Sequence, residues 1–224
     1  MEAPMKKGLV EIVFILDRSG SMSGLEKETI GGFNSTIEKQ RNEPGEAYVS
    51  TVLFDNQTEV LHDRVPIQNI PPLTAKEFFA RGSTALLDAI GNAIHHIGNV
   101  HKYARDEDRP EKTIVIITTD GYENASRKYS LDRIRMMVDR QKTKYGWEFL
   151  FLGANIDAIE TARSFGIDER HATNYMPDQD GMEKLYDAEE RFIRLHRCEF
   201  PSEKDFEEWK KDVEADYRNR KKFR

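Results

Sequence analysis

Hydrophobic and polar positions along the first half of the chain alternate between two kinds of run. Leu9-Val10-Glu11-Ile12-Val13-Phe14-Ile15-Leu16 is nearly continuous, the pattern of a central parallel strand buried on both faces. A polar turn follows, Asp17-Arg18-Ser19-Gly20-Ser21-Met22-Ser23-Gly24. Ile30, Phe33 and Ile37 then repeat at helical spacing and predict a helix over about residues 25–41. Ala47 to Phe54 reads as a second strand and Thr58 to His62 as a third. Only Asp55-Asn56-Gln57 lies between them, too short to cross over to a parallel neighbour, so these two strands form an antiparallel hairpin at a sheet edge.

Beyond a loop marked by Pro66, Pro71 and Pro72, the same alternation continues. Thr84 opens a helix with Leu87, Ile90, Ile94 and Ile97 on one face, and Thr113 to Thr119 is the next buried strand, ending in Asp120-Gly121. Ser130 starts a helix with Leu131, Ile134 and Val138 as its stripe. Trp147 to Leu152 is a fifth strand, Ile156, Ile159 and Ala162 lie on a short helix, and His171 to Asn174 forms a last edge strand. Strand–helix alternation of this kind defines an α/β fold. From Pro177 onward charge density rises and strand-like runs stop. Asp180 to Arg197 reads as helix. Ser202 and Asp205 match a helix-capping signature, followed by a stripe of Phe206, Trp209, Val213 and Tyr217. The organisation is therefore an α/β domain over residues 1–176 and a C-terminal helical extension over 177–224, packed on or beside it. The stripe packs back on the domain; a partner-binding or dimerising helix is the sharper alternative.

Composition narrows the function. The chain has 224 residues, enough for one good core plus an appendage. It carries 34 Lys and Arg against 40 Asp and Glu, a net charge of −6, which disfavours nucleic-acid binding. The basic end, Lys221-Lys222-Phe223-Arg224, is too short to argue for nucleic acid or membrane, and no apolar stretch approaches the ~20 residues of a membrane span. The first apolar run carries Glu11 and lacks a small-residue cleavage site, so it reads as a strand and not as a signal peptide. The single cysteine, Cys198, excludes an internal disulfide framework and fits a reducing, cytoplasmic compartment. His95, His96 and His101 follow no His-Glu-x-x-His pattern and read as surface or groove residues, not zinc ligands.

Three polar stretches converge in this topology: Asp17-x-Ser19-x-Ser21 after the first strand, Gly82-Ser83-Thr84 before a helix, and Asp120-Gly121 after the strand at 113. Open parallel sheets bind ligands outside the carboxyl ends of their strands, where strand order reverses. Every donor in the set is an oxygen, which suits a hard cation, Mg²⁺ or Mn²⁺, over Zn²⁺. In a partly extended turn, alternate side chains point the same way, so Asp17, Ser19 and Ser21 converge while Arg18 and Gly20 point elsewhere; Gly20 allows backbone angles that a larger residue resists.

Asp17-x-Ser19-x-Ser21 with Thr84 and Asp120, in that order, resembles the metal-ion-dependent adhesion site of von Willebrand factor type A domains. The order of strands and helices is similar to that family over about residues 8–175, and Phe151-Leu152-Gly153-Ala154-Asn155 is similar to its intracellular bacterial and phage members. The resemblance implies a Rossmann-like α/β fold: a mostly parallel central sheet with one antiparallel edge strand, helices on both faces, and the C-terminal extension. It implies that Ser19 and Ser21 ligate the metal through their hydroxyls, that Thr84 does so directly or through water, and that Asp17 and Asp120 hold it mostly through waters. The cofactor implied is Mg²⁺, with Mn²⁺ or Ca²⁺ as substitutes. Neutral hydroxyls leave a divalent ion under-neutralised, so its open position attracts an anionic oxygen, supplied by an Asp or Glu of a partner protein. Glu123 falls on the same rim, where it tunes the field or competes for the metal; an ordinary solvated loop carboxylate is the bland alternative. Arg18 either contacts a partner's acidic group or is an exposed charge, and Thr84 alone also suits a helix N-cap without metal.

Two other classes compete with a carboxylate-docking module. One is a Mg²⁺-dependent phosphoester hydrolase. Against it, neither Ser21 nor Ser23 sits in Gly-x-Ser-x-Gly, Ser19 stands where a carboxylate nucleophile belongs, and there is no P-loop motif. The other is an adaptor subunit of an ATPase- or kinase-linked complex, which nothing within the chain identifies. The favoured expectation is a non-enzymatic binding module; the sequence sets neither its partner nor its oligomeric state.

Overall fold

Alternation along the first strand organises the molecule. In β1 (Lys6–Asp17) Val10, Ile12, Phe14 and Leu16 face one side of the sheet, while Val13 and Ile15 face the other. A strand apolar on both faces must be covered on both, and the chain supplies two helical layers. The computed structural model describes residues 5–197 and 202–221; Cys198 and the basic residues Lys222 and Arg224 lie outside that range.

The remaining elements follow in the order α1 (Glu26–Arg41), β2 (Glu46–Phe54), β3 (Thr58–Pro66), α2 (Leu86–Tyr103), β4 (Pro110–Thr119), α3 (Leu131–Tyr145), β5 (Glu148–Gly153), α4 (Ala158–Ser164), β6 (Ala172–Asn174), α5 (Gln179–Arg197), α6 (Glu203–Glu208) and α7 (Lys211–Lys221). The six strands lie in the order β3-β2-β1-β4-β5-β6. All neighbours are parallel except β2 and β3, the expected edge hairpin. One face carries α1, α5 and the C-terminal helices, with Phe33, Ile37, Leu185, Phe192 and Val213 in its core. The other carries α2, α3 and α4, with Ile90, Ile94, Ile134, Val138 and Ala162. The chain leaves β1 toward β2 on one side and returns to β4 on the other. The carboxyl ends of β1 and β4 therefore flank the point where strand order reverses.

The structure departs from the sequence reading in four places. The helix expected from Thr84 begins at Leu86, because residues 84 and 85 are held by other loops. The third strand runs on to Pro66, past irregular pairing opposite Ser50 and a left-handed Arg64. Leu131 is 42% exposed and lies outside the α3 core stripe, which consists of Ile134 and Val138. The final stripe is split: α6, opened by the Ser202–Asp205 capping box, ends at Glu208, and α7 starts at Lys211.

Between those two helices, Trp209 is buried to 1% exposure and packs edge-on against Phe192 at 5.1 Å. Its indole N–H donates to the Arg170 carbonyl over 3.1 Å. Lys210 next to it donates through Nζ to the carbonyls of Glu169 (2.9 Å), in the turn before the outer strand β6, and of Ala172 (2.8 Å), at its start. The C-terminal segment thus belongs to the same apolar core as α1 and α5. Among the described residues no helix is long and apolar enough to cross a membrane.

Candidate metal centre

Three loops meet at the carboxyl ends of β1 and β4, and backbone bonds lace them together. Gly20 N donates to Gly82 O at 3.1 Å, Arg81 N to Arg18 O at 2.8 Å, and Asn124 N to Thr84 O at 3.0 Å. In return, Thr84 N donates to Asn124 Oδ1 at 2.9 Å. Loops fixed in this way set side-chain positions without relying on the side chains themselves.

The lacing brings the five expected residues together. Thr84 Oγ1 donates to Ser19 Oγ over 2.9 Å, and the Ser19 and Ser21 hydroxyls are 3.0 Å apart. Asp17 is fully buried beneath them; its Oδ1 accepts from Ser19 N at 2.7 Å and its Oδ2 from Thr119 Oγ1 at 2.6 Å. Asp120 is buried and accepts from the Asn155 side-chain amide. Ser21 is the exposed member of the set. A Cβ on Gly121 would come within 3.1 Å of Ser21 Oγ and 3.4 Å of Thr84 Oγ1, so a side chain there would press on the hydroxyls that the third loop closes over.

The convergence has a different local cause from the one expected. Ser19 is extended, but Gly20–Met22 form a turn of 3-10 helix, and this tight turn swings Ser21 back toward Ser19. Gly20 needs no unusual backbone angle. Its role is close approach, since a Cβ there would sit 3.2 Å from Gly82 O, and it is Gly82 that takes the left-handed conformation.

Burial sets the electrostatics. Desolvation raises the Asp17 carboxyl, opposed by the hydrogen bonds from Thr119 and Ser19. Desolvation pushes Asp120 up to about 6; the Asn155 bond opposes this and the nearby Asp17 charge adds to it. Two buried carboxylates and three clustered hydroxyls form a concave, oxygen-only, electronegative set, which is what a hard divalent cation requires.

The two residues placed on the partner-facing rim are not there. Arg18 is 2% exposed. Its guanidinium donates to Asp55 Oδ2 (3.1 Å), the Glu77 carbonyl (3.2 Å) and Glu59 Oε2 (2.7 Å). It anchors the first loop to the β2–β3 hairpin and, being buried, does not face a partner. Burial would raise the Asp55 carboxyl, but bonds from Arg81, Gln57 and Arg18 hold it below the usual range. Glu123 is neither rim charge nor idle. Its carboxylate accepts from the backbone N–H of Leu87 (2.8 Å), Ala125 (2.9 Å) and Ser126 (2.7 Å), and from Ser126 Oγ (2.7 Å). It caps α2 from another loop, a job the sequence reading allowed Thr84, and so frees the Thr84 hydroxyl to face Ser19. Beside Ser83 opens a polar groove of about 610 Å³, lined by Asn56, Gln57, Asp88, Asn124 and Ser126.

Three positioning residues escaped the sequence reading: Thr119, Asn155 and Asn124. Thr119 falls at the end of the strand that begins at Thr113, and Asn124 belongs to no sequence motif. Asn155 did leave a signal, in the Phe151–Asn155 stretch. It takes a left-handed backbone angle, φ 53°, which asparagine tolerates better than most residues and which aims its amide at Asp120.

The open α/β sheet has counterparts among solved structures. Proximal thread matrix protein 1 from the mussel byssus superposes with a TM-score of 0.58 at 17% identity, over 85% of this chain and 46% of that one. The same protein with a zinc-occupied MIDAS motif gives a TM-score of 0.57 at 15% identity, covering 85% and 46%. The vWF domain of the type V pili tip protein Mfa5 from Porphyromonas gingivalis gives 0.57 at 11% identity, over 87% of this chain and 98% of that domain. The chain thus spans about half the length of the mussel protein it matches. No family model matches the sequence, and no curated protein matches it. The chain has the fold of von Willebrand factor type A domains, with the mostly parallel sheet, antiparallel edge strand and flanking helices expected of it.

Proposed function

We propose that this protein is a metal-dependent protein-interaction module that docks an Asp or Glu carboxylate of a partner. One observation carries the reading: Ser19, Ser21 and Thr84 hydroxyls lie 2.9 and 3.0 Å from one another above two buried carboxylates. An octahedral site with metal–oxygen bonds of ~2.0–2.1 Å has neighbouring oxygens ~2.9 Å apart, whereas the longer bonds to Ca²⁺ spread them further. The spacing is compatible with Mg²⁺, and the oxygen-only donor set suits Mg²⁺ with Mn²⁺ as a substitute. Ser19, Ser21 and Thr84 would hold the ion, with Asp17 and Asp120 behind them. The ion would supply a Lewis-acidic position that favours an anionic oxygen over water. Asp17 is held by Thr119 Oγ1 and Ser19 N–H; the exposed Ser21 marks the side from which a partner arrives.

A binding role is favoured over hydrolysis because, among the described residues, the hydroxyls of Ser19, Ser21 and Thr84 bond to one another and no histidine bonds to them. The reading keeps the cytoplasmic setting expected from Cys198, which cell fractionation tests. The function itself is tested by affinity capture with and without chelator, together with calorimetric Mg²⁺ titration of Ser19→Ala and Asp120→Ala. Mg²⁺ binding and chelator-sensitive capture should be lost in both variants, with circular dichroism unchanged. Unchanged Mg²⁺ affinity in either variant sinks the reading. Turnover of a generic phosphoester that disappears in Asp17→Ala would replace it with the hydrolase.

A further inference from the structure

At the opposite end of the sheet from the three loops, residues far apart in sequence bring three metal-ligating groups together. Glu148 opens β5, His171 ends the 3-10 turn before β6, and His196 is the penultimate residue of α5. His171 Nδ1 lies 3.5 Å and His196 Nε2 3.9 Å from the same oxygen, Glu148 Oε2, and the three ligand atoms are all within 4.8 Å of one another. The histidines are largely buried, at 20% and 8% side-chain exposure, while Glu148 keeps 39% and leaves a path from solvent.

The hydrogen bonding fixes what these atoms present. His196 Nδ1 lies 2.9 Å from the Phe192 carbonyl, which can only accept, so Nδ1 carries the proton. In the neutral ring, Nε2 therefore turns a bare lone pair toward a carboxylate oxygen. Neither 3.5 nor 3.9 Å is a hydrogen bond. In that tautomer two acceptors, His196 Nε2 and Glu148 Oε2, face each other, an arrangement that a cation between them resolves.

We propose that Glu148, His171 and His196 form a nitrogen-rich site for Zn²⁺, independent of the oxygen cradle, which ties the start of β5, the turn before β6 and the end of α5 together. Two imidazoles and a carboxylate suit Zn²⁺ and do not suit Mg²⁺. Tetrahedral bonds of ~2.0–2.1 Å place ligand atoms ~3.3–3.4 Å apart, so the two histidine nitrogens, 3.5 and 3.9 Å from Glu148 and within 4.8 Å of each other, draw together on binding. The Phe192 carbonyl orients the His196 ring from behind, as outer partners of zinc-bound histidines do. Water takes the fourth position. The rings of Phe192 (4.2 Å from His196) and Phe206 (5.3 Å) wall the pocket with apolar surface.

The test uses the full chain in a Cys198→Ser background, so that no thiolate contributes, held in excess Mg²⁺ to occupy oxygen-only sites. Zn²⁺ is titrated by calorimetry and Co²⁺ by visible absorption. One equivalent should bind, Co²⁺ should show the intense bands of four-coordination, and Zn²⁺ should raise the Tm in a manner EDTA reverses. His171→Ala and, separately, Glu148→Gln should each weaken Zn²⁺ binding at least ~10-fold, while Asp120→Ala should not. Glu148 is half-exposed, so its variant remains informative should His171→Ala not fold. The absence of stoichiometric Zn²⁺ binding, a weak six-coordinate Co²⁺ spectrum, or unchanged affinity in Glu148→Gln overturns the assignment.

Discussion

The Thr119 hydroxyl donates to Asp17 Oδ2 over 2.6 Å, tying the last residue of β4 to the last residue of β1 across the switch point of the sheet. The bond leaves one carboxylate oxygen oriented by a side chain and the other by Ser19 N–H. Thr119→Val keeps shape and β-propensity but removes the donor. It should weaken Mg²⁺ binding by ~10-fold, the scale on which outer partners of metal ligands act, with little change in Tm. Calorimetric titration beside thermal melting checks this; a Tm loss without an affinity loss would show that Thr119 serves packing alone.

Arg18 makes a stability prediction in place of a binding one. Arg18→Ala leaves Glu59 and the Glu77 carbonyl without their donor and Asp55 with only Arg81. Breaking one side of a buried pair costs ~3–5 kcal/mol; because Arg81 stays on Asp55, the expected loss here is about 2–3 kcal/mol. Urea denaturation measures it, and a loss of metal affinity with unchanged stability would return Arg18 to the binding face.

Glu189 on α5 is fully buried against α1, and neither of its oxygens makes a hydrogen bond of good geometry. Burial raises its carboxyl from 4.5 to about 8, with the Thr36 hydroxyl pulling the other way. Between those pH values the unfolded chain has released a proton that the folded chain retains, so stability declines as pH rises through that window and levels off above about 8. Glu189→Gln should flatten this decline: equal to the parent near pH 4.5, and more stable at pH 8 by on the order of a few kcal/mol. Melting temperatures across that range decide it; parallel curves for the two proteins contradict the burial argument.

Trp209→Ala should cost ~3–5 kcal/mol, since it removes a ring at 1% exposure together with its bond to the Arg170 carbonyl. A partner-binding helix would instead tolerate the change in isolation and lose only a partner. Equal denaturation midpoints for the variant and the parent would favour that second role.

Much of this was legible beforehand because periodicity and turn length are local. The run at Leu9–Leu16, the three-residue Asp55–Gln57 connection and the stripe at Ile90 and Ile94 each fixed an element from a few neighbouring positions. The five oxygen donors were legible because strand ends place them by topology alone. Arg18 and Glu123 misled because their partners come from 37 and 36 positions away, Asp55 and Leu87, and spacing does not encode such pairings. The same holds for Glu148, His171 and His196, whose convergence depends on how α5 crosses the sheet. The break after Glu208 was hidden because a stripe at helical spacing reads through a one-turn interruption.

Lys210 has one more implication. A bare outer strand invites another chain to add itself by backbone pairing, the usual start of uncontrolled self-association. By donating to the carbonyls of Glu169, in the turn before β6, and of Ala172, at its start, its ammonium group acts as a lock on that border of the sheet. Shortening the chain before this lysine would therefore do more than thin the core: it would leave a sticky margin, and the truncated protein should precipitate with time and concentration even where it still folds.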